Sequence, residues 1–203
     1  MVGLNPFTSW ACRRFIHKSI FYENGSQATA TILSLNVRLG KRQAMPQAVR
    51  YQFTQRFNQP ARKSYEWCTS FTPEDQVLMR EKNATREVQR LTKNTVILTD
   101  TFHNKGETTV KQKLVCLYPN KLMWTSTHLA GQAKYSQFIY EITSESKTKS
   151  SLRFTALHIA HCIKEGSDKT ENRRLAEELR KEDSGVWKNL ANEMKKELGR
   201  DRP

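Results

Sequence analysis

The most constraining feature of this sequence is a long amphipathic stretch near its end, residues 169–198. Apolar residues recur there at intervals of four and seven, at Leu175, Leu179, Val186, Leu190, Met194 and Leu198. This spacing predicts one apolar face of an α-helix, and a helix of that length spans about 45 Å. Thr170 is a suitable N-cap and Gly199 a suitable end. Because most of the preceding chain has strand patterns, we expect the helix to lie across a curved sheet.

Gly185 lies inside this stretch, directly after an Asp-Ser pair. Glycine within a helix costs about 1 kcal/mol relative to alanine, and aspartate and serine are indifferent helix formers. We therefore expect the helix to bend at Gly185. The half after the bend, with Val186, Leu190 and Met194, is predicted to provide the main packing surface.

Upstream of the helix, seven segments have the composition and alternation of strands with one buried face. They are Gln47 to Phe57, Arg86 to Leu91, Thr95 to Phe102, Thr108 to Tyr118, Leu122 to Leu129, Lys134 to Thr143 and Ser151 to His161. The connections among the last six are so short that neighbouring strands must be antiparallel. Between the first two strands, Ala61 to Ser70 and a segment that opens at Thr72 have the signals of two short helices.

The chain is strongly basic, with 34 Lys and Arg against 20 Asp and Glu and a net charge of +14. Clustered positive charge favours nucleic acids, because binding releases counterions from the phosphates. Over most of this chain the basic residues are interspersed with acids, and no basic run is interleaved with aromatic residues. We therefore expect a basic surface without specific nucleic-acid binding.

The four cysteines, Cys12, Cys68, Cys116 and Cys162, are far apart and form no CxxC pair. This spacing argues against a disulfide framework or a zinc knuckle and favours a reducing compartment. No apolar run approaches the roughly 18 residues of a membrane span, although transient contact with a membrane surface stays open. We expect a cytoplasmic protein, and the oligomeric state stays open.

Residues 1–44 differ in composition from the rest, since they are rich in Ser, Thr, Asn and Arg and contain one acid, Glu23. We predict a disordered or marginal N-terminal extension over 1–44 and one folded domain over 45–203. The extension has the composition of an organellar transit peptide, which would make the location organellar. It also fits an upstream extension with Met45 as the natural start.

Three stretches of the sequence, residues 58–67, 71–75 and 183–198, resemble the START-like (SRPBCC, helix-grip) superfamily. Residues 58–67 and 71–75, which begin Asn-Gln-Pro-Ala and Phe-Thr-Pro-Glu-Asp, are similar to the part of the superfamily that follows its first strand. Residues 183–198, which begin Asp-Ser-Gly-Val-Trp, are similar to its C-terminal helix. The order of elements over residues 47–199 carries most of this resemblance.

The resemblance implies an α+β fold of the helix-grip type. A curved seven-stranded antiparallel sheet would wrap around the long C-terminal helix, with two short helices after the first strand and an apolar cavity between sheet and helix. It also implies binding or transport of an apolar small molecule, such as a lipid, an isoprenoid or a polyketide-like compound, without a cofactor. Some members are cyclases or aromatases, and the fold alone does not decide between these activities.

Strand alternation and the helix face select the side chains that we expect to line this cavity and bind the ligand. They are Tyr51, Phe53, Leu98, Asp100, Gln112, Leu114, Trp124, His128, Phe138, Tyr140, Phe154, His158, Val186, Leu190 and Met194. A mostly apolar pocket with a few polar groups is the usual form of a small-molecule site. For each polar residue alone, a position at a solvent-exposed strand end is the alternative.

No motif of nucleophilic or phosphate chemistry occurs, so we assign no catalytic residue. In an acid–base enzyme, Asp100, His128 or His158 would be the candidate for proton transfer with a bound carbonyl compound. His158 and His161 are three residues apart, and on a strand such residues point to opposite faces. We therefore expect no metal site.

Three interpretations remain open at this point. The chain is a carrier of an apolar small molecule, a cyclase-like or aromatase-like acid–base enzyme, or a non-enzymatic adaptor that uses its basic surface. An enzyme should have a polar pair deep in the cavity, whereas the cavity of a carrier should be apolar to its end. An adaptor needs no cavity.

Overall fold

The computed structural model of this chain describes residues 46–75, 83–104, 107–161 and 169–199. The predicted extension over 1–44 and most of the predicted second short helix lie outside these ranges. In chain order, the described elements are β1 Gln47–Phe57, α1 Ala61–Thr69, β2 Ala84–Thr92, β3 Thr95–Asn104, β4 Glu107–Tyr118, a 3-10 helix Pro119–Lys121, β5 Met123–Ala130, β6 Gln137–Ser146, β7 Lys149–Ala160 and α2 Lys169–Gly199.

The seven strands form one antiparallel sheet in the order β1-β7-β6-β5-β4-β3-β2. From β2 to β7 each strand lies beside its neighbour in sequence, which is the arrangement that short connections produce. β1 instead pairs with β7, so the first and last strands meet. α2 packs against β1, and α1 contacts β6 and β7. The predicted α+β helix-grip architecture, with a curved seven-stranded sheet around a long helix, is confirmed.

Two clusters of buried side chains join the helices to the inner face of the sheet. The larger cluster contains Phe57, Ala61, Tyr65, Val96, Leu98, Val115, Trp124, Ile142, Leu152 and Met194. The smaller contains Tyr51, Phe138, Phe154 and Ala156, with Ala176 and Leu179 of α2 packed on it. Full burial of a large apolar side chain contributes about 1.5–3 kcal/mol, so these clusters supply much of the stability of the fold.

β4 presents to the interior the opposite face from the one that we predicted. Val115 is buried, and both Val115 and Lys113 lie on the interior side of the strand. Gln112 and Leu114 therefore point outward, because successive side chains of a strand alternate. The predicted face was wrong because residues 114–117 are a continuous apolar run without a period of two, and a lysine on a strand is ordinarily solvent-exposed.

Turn geometry delays the start of β6, which was predicted at Lys134 and lies at Gln137. Gly131 has a φ of +92° and Tyr135 a φ of 70°, and both values belong to the left-handed region that turns use. A Cβ atom at Gly131 would lie 2.9 Å from the carbonyl oxygen of Val110. Glycine therefore permits the close approach of the chain at this turn.

α2 runs without a break from Lys169 to Gly199 and passes through Gly185. Gly185 is exposed, and a Cβ atom there would meet nothing within 4 Å. The second half of the helix packs on the larger cluster, where Met194 is 1 % exposed. Val186 and Leu190 are half-buried, so the deepest anchor of the helix is Met194.

Candidate functional site

A cavity of about 540 Å³ lies between the inner face of the sheet, α1 with the segment that follows it, and the second half of α2. Five aromatic side chains line it: Trp67, Phe71, Trp124, Tyr140 and Trp187. Five charged side chains also line it: Glu74, Asp75, Arg86, Lys113 and Glu197. A cavity of this size can hold a small organic molecule, and it presents such a molecule with both aromatic and charged groups.

The aromatic wall is assembled from two neighbouring strands and the helix. Trp124 and Tyr140 lie opposite each other in β5 and β6, and their rings stack with centroids 4.7 Å apart at an angle of 4°. Trp187 of α2 covers this pair, with ring centroids 6.2 Å from Trp124 and 5.7 Å from Tyr140. These three rings form a broad apolar surface against which a flat molecule can pack.

The segment after α1 closes the other side of the cavity. Phe71, whose ring lines the cavity, has a φ of 42°, a left-handed conformation that costs a non-glycine residue about 1–3 kcal/mol. One residue later, the backbone N–H and the hydroxyl of Thr72 donate to the carboxylate of Asp75 over 3.2 and 3.0 Å. These hydrogen bonds orient Asp75 towards the interior.

A network of charges forms the polar part of the cavity wall, with Arg86 at its centre. Arg86 lies opposite Asp100 in the hairpin of β2 and β3, and its Nε and Nη2 donate to the two carboxylate oxygens of Asp100 over 2.7 and 3.1 Å. Its Nη1 donates to Asp75 over 3.0 Å. The Arg86 side chain is 5 % exposed, and bidentate pairing of this kind is the geometry that stabilises a buried guanidinium.

Lys113 completes the network from β4, where its Nζ donates to Asp100 Oδ2 over 2.9 Å. Burial alone would raise the pKa of Asp100, but the positive charges of Lys113 and Arg86 outweigh it and hold this pKa well below the usual range. Asp100 is therefore ionised at neutral pH and cannot donate a proton there. Its position is that of a structural counter-ion.

The two histidine candidates lie on the inner face but do not line this cavity. The His128 ring packs against Phe138, with centroids 4.9 Å apart. Burial, together with the charges of Lys113 and Lys111, lowers the pKa of His128 to about 3. Burial also lowers the pKa of His158 to about 4. Both imidazoles are neutral at physiological pH.

A second polar contact joins the first half of α2 to the sheet. The hydroxyl of Tyr51 on β1 donates to Asp183 Oδ2 over 2.6 Å. Burial raises the pKa of Asp183 to about 6, although the hydrogen bond from Tyr51 and the charges of Lys113 and Lys111 act in the opposite direction. Asp183 therefore titrates closer to neutrality than an exposed aspartate.

These shifts predict that the free energy of unfolding falls as the pH decreases through 5. The pKa of His128 and that of His158 lie below 6.5 in the fold, so their stabilisation is complete above pH 6.5 and is lost as the pH falls. The raised pKa of Asp183 acts with the opposite sign, because its stabilisation is complete below pH 3.8 and is lost as the pH rises through 6. The two histidines outweigh Asp183 and the more exposed Glu182, whose pKa burial also raises, which leaves a slope on the order of 1 kcal/mol per pH unit or less near pH 5.

His128→Phe should remove most of this slope, whatever its effect on stability at pH 7. Urea denaturation between pH 6.5 and 4.5 measures it, with His103→Phe as the control because the side chain of His103 is exposed. A slope in His128→Phe equal to that of the unmodified chain would contradict the burial of an uncharged His128.

The structure brings only some of the predicted ligand-binding residues to the cavity. Leu98, Trp124, Tyr140 and Leu190 line it. Tyr51, Phe53, Phe138 and Phe154 belong to the smaller cluster or pack on it, and Met194 belongs to the larger. Asp100, His128 and His158 lie on the inner face behind or beside the cavity, and Val186 is half-buried on α2. Gln112 and Leu114 lie on the outer face.

The sequence analysis did not predict several of the residues that line the cavity, chiefly Arg86, Lys113, Trp67 and Glu197. One signal for the first two was available. Asp100 alternates with apolar residues on the buried face of its strand, and a buried carboxylate requires cations beside it. No pattern in the sequence marks Trp67 or Glu197 as part of a cavity wall.

The described residues contain neither a membrane-spanning helix nor a cluster of metal ligands. Of the helices described, none combines the length and apolar character needed to cross a membrane. Within the same ranges, no group of three or more His, Cys, Asp or Glu side chains is placed to hold a metal ion. His161, which we considered together with His158, donates from Nε2 to the carbonyl oxygen of Lys134 over 2.8 Å.

Comparison with solved structures identifies the fold. An aromatase/cyclase from Streptomyces sp. R1128 superposes with a TM-score of 0.56 at 9% identity, over 75% of this chain and 96% of its own. Norcoclaurine synthase from Thalictrum flavum gives a TM-score of 0.57 at 12% identity, over 87% and 99%. A START superfamily protein from Mycobacterium smegmatis gives 0.53 at 12% identity, over 72% and 99%. The sequence itself matches no protein-family model and no curated relative. This chain therefore has the START-like, helix-grip fold.

Proposed function

We propose that this chain binds a small molecule with an apolar body in the cavity between the sheet and α2, and carries it without changing it. The observation that carries this proposal is the 540 Å³ cavity with five aromatic rings in its walls. Its volume lies within the range of about 300–1,000 Å³ that ligand sites occupy. The lipid, isoprenoid and polyketide-like compounds that the sequence suggested all have bodies that suit such walls.

Lys113 supplies the polar contact that would orient the ligand. An ammonium group has three donors, and the Lys113 group gives one hydrogen bond to Asp100 while lining the cavity. Its remaining donors are placed to meet an acceptor on the ligand, such as a carbonyl oxygen. The cavity is thus not apolar to its end, which differs from what we expected of a carrier, so the choice between carrier and enzyme depends on whether its polar groups can transfer a proton.

The protonation states and positions of the polar groups favour a carrier over an acid–base enzyme. Asp100 is held ionised by its two cationic partners, and neither His128 nor His158 lines the cavity. General acid–base work needs a group whose pKa lies near the operating pH and within reach of the ligand. The cyclase-like alternative therefore cannot use the three residues that the sequence offered for proton transfer, and an adaptor on a basic surface would leave the cavity without a role.

Cys68 gives a direct test, because its half-buried thiol lines the cavity. Saturation with the neutral aromatic probe N-phenylnaphthylamine should slow alkylation of Cys68 by iodoacetamide, by about ten-fold at ten times the dissociation constant. Peptide mass spectrometry measures the labelling of each cysteine separately. Burial raises the pKa of Cys68, so the reaction is followed at mildly alkaline pH.

Cys116 is the internal control for this experiment. It is also half-buried, but it follows the inward-facing Val115 on β4 and so lies on the outer face of the sheet. Its labelling should not change with the probe. Equal protection of both thiols, or of neither, would contradict binding in this cavity.

A further inference from the structure

We infer that the molecule which this cavity takes carries a positive charge, as an amine or a quaternary ammonium group on its apolar body. The inference rests on the proposed function and names the chemical class of its ligand. It follows from the balance of charge around the cavity and from where the aromatic rings lie relative to that charge.

The two cations in the cavity wall are already neutralised by protein groups. Arg86 is paired with both Asp75 and Asp100, and Lys113 is paired with Asp100. Two positive charges therefore face two carboxylates within a single network. An anionic ligand placed beside this network would gain little from its cations and would be repelled by its carboxylates.

Two further carboxylates, those of Glu74 and Glu197, line the cavity without a cationic partner among the described residues. They come from different parts of the chain, the segment after α1 and the end of α2, and both are exposed. They therefore stand at the solvent side of the cavity. Although the chain has a net charge of +14, the described part of the cavity lining therefore carries an excess of negative charge.

An aromatic ring adjoins one of these carboxylates, that of Glu197. The indole Nε1 of Trp67 donates to Glu197 Oε2 over 2.7 Å, which fixes the carboxylate at the edge of a ring that itself lines the cavity. Phe71 lies between Trp67 and Glu74 in the sequence and lines the cavity beside them. A cation near an aromatic face gains from the ring quadrupole as well as from a nearby carboxylate, so both features favour the same ligand class.

Three ligands that share a naphthylethyl group and differ only at the end of the chain test this inference. One ends in trimethylammonium, one in the neutral isostere tert-butyl and one in carboxylate. Calorimetric titration of the full chain should show the trimethylammonium compound binding about ten-fold more tightly than the tert-butyl compound, and the carboxylate most weakly. Added salt should reduce the preference for the cation.

Two double substitutions test whether Glu74 and Glu197 cause the preference for the cationic ligand. The double variant Glu74→Gln, Glu197→Gln should bring the cationic and neutral ligands to within about two-fold of each other. The control Glu177→Gln, Glu178→Gln changes the net charge equally but alters exposed carboxylates paired with Arg180 and Arg174 on α2. This control should keep the full preference.

The possible results distinguish a failure of this inference from a failure of the proposed function. If the tert-butyl compound binds as tightly as the cation, or the cavity double variant keeps the preference, the inference is overturned while small-molecule binding stands. If none of the three ligands binds the unmodified chain, the proposed function and the inference both fail.

Discussion

Asp100→Ala should lower the free energy of unfolding by about 3–5 kcal/mol at pH 7, the usual cost of removing one partner from a buried ion pair. Asp100 is 1 % exposed and is the common partner of Arg86 and Lys113. Without it, the Arg86 guanidinium, which is 5 % exposed, would keep Asp75 as its carboxylate partner, and the Lys113 ammonium, which is 22 % exposed, would lose the carboxylate to which it donates. Urea denaturation followed by circular dichroism measures the loss.

The matched control is Glu141→Ala, which breaks a bidentate pair with Arg153 on the sheet surface. Arg153 is 61 % exposed, and exposed ion pairs contribute about 0–1 kcal/mol. Both variants remove one carboxylate, and the carboxylates differ in burial and in the number of cations that they pair with. A cost for Asp100→Ala no larger than that for Glu141→Ala would mean that the buried network does not form.

Met194→Ala should cost about 2–5 kcal/mol, because it leaves a cavity in a well-packed core. Met194 is 1 % exposed and is the residue of α2 that belongs to the larger buried cluster. Leu190, one turn earlier, is half-buried and lines the ligand cavity. Leu190→Ala should therefore cost less stability and instead weaken binding of the neutral aromatic probe.

The two substitutions on α2 separate the fold from the site. Denaturation gives the stability of each variant, and fluorescence titration with N-phenylnaphthylamine gives its affinity for the probe. If Leu190→Ala destabilises the chain as much as Met194→Ala and leaves probe binding unchanged, Leu190 is a core residue and the wall of the cavity has been placed wrongly.

The elements of the fold could be predicted because their signals are local. The period of α2 and the alternation of β1 each depend on residues a few positions apart. Short connections then made the strands from β2 to β7 antiparallel neighbours. The pairing of β1 with β7 has no such local signal, and the sequence analysis did not predict it.

The candidate site was harder to predict because its polar wall depends on pairs that lie apart in sequence. Lys113 and Arg86 read as exposed strand residues, yet both turn inward to a carboxylate on β3. The prediction for β4 placed Lys113 on the solvent-exposed face. Because Val115 lies on the same face as Lys113, the prediction left Val115 out of the cavity lining and included Leu114 instead. Trp67 and Glu197 meet only after the sheet has brought α1 and α2 together.

The charge network also limits the chemistry that the cavity can support. A carboxylate held ionised by two cations stabilises the wall but does not transfer protons at neutral pH. The cavity lining offers a ligand aromatic surfaces and hydrogen-bond donors. These properties fit the proposed binding of a small molecule. The experiment that tests the proposal should therefore show whether a ligand occupies the cavity.

The most direct test is a crystal structure of the chain grown with a neutral bromonaphthalene, in which anomalous scattering locates the bromine. We predict the signal inside the cavity, with the naphthalene ring packed against the surface that Trp124, Tyr140 and Trp187 form. A signal found instead only on the outer face of the sheet, where Ile139 and Leu157 are exposed, with the cavity empty, would contradict the account.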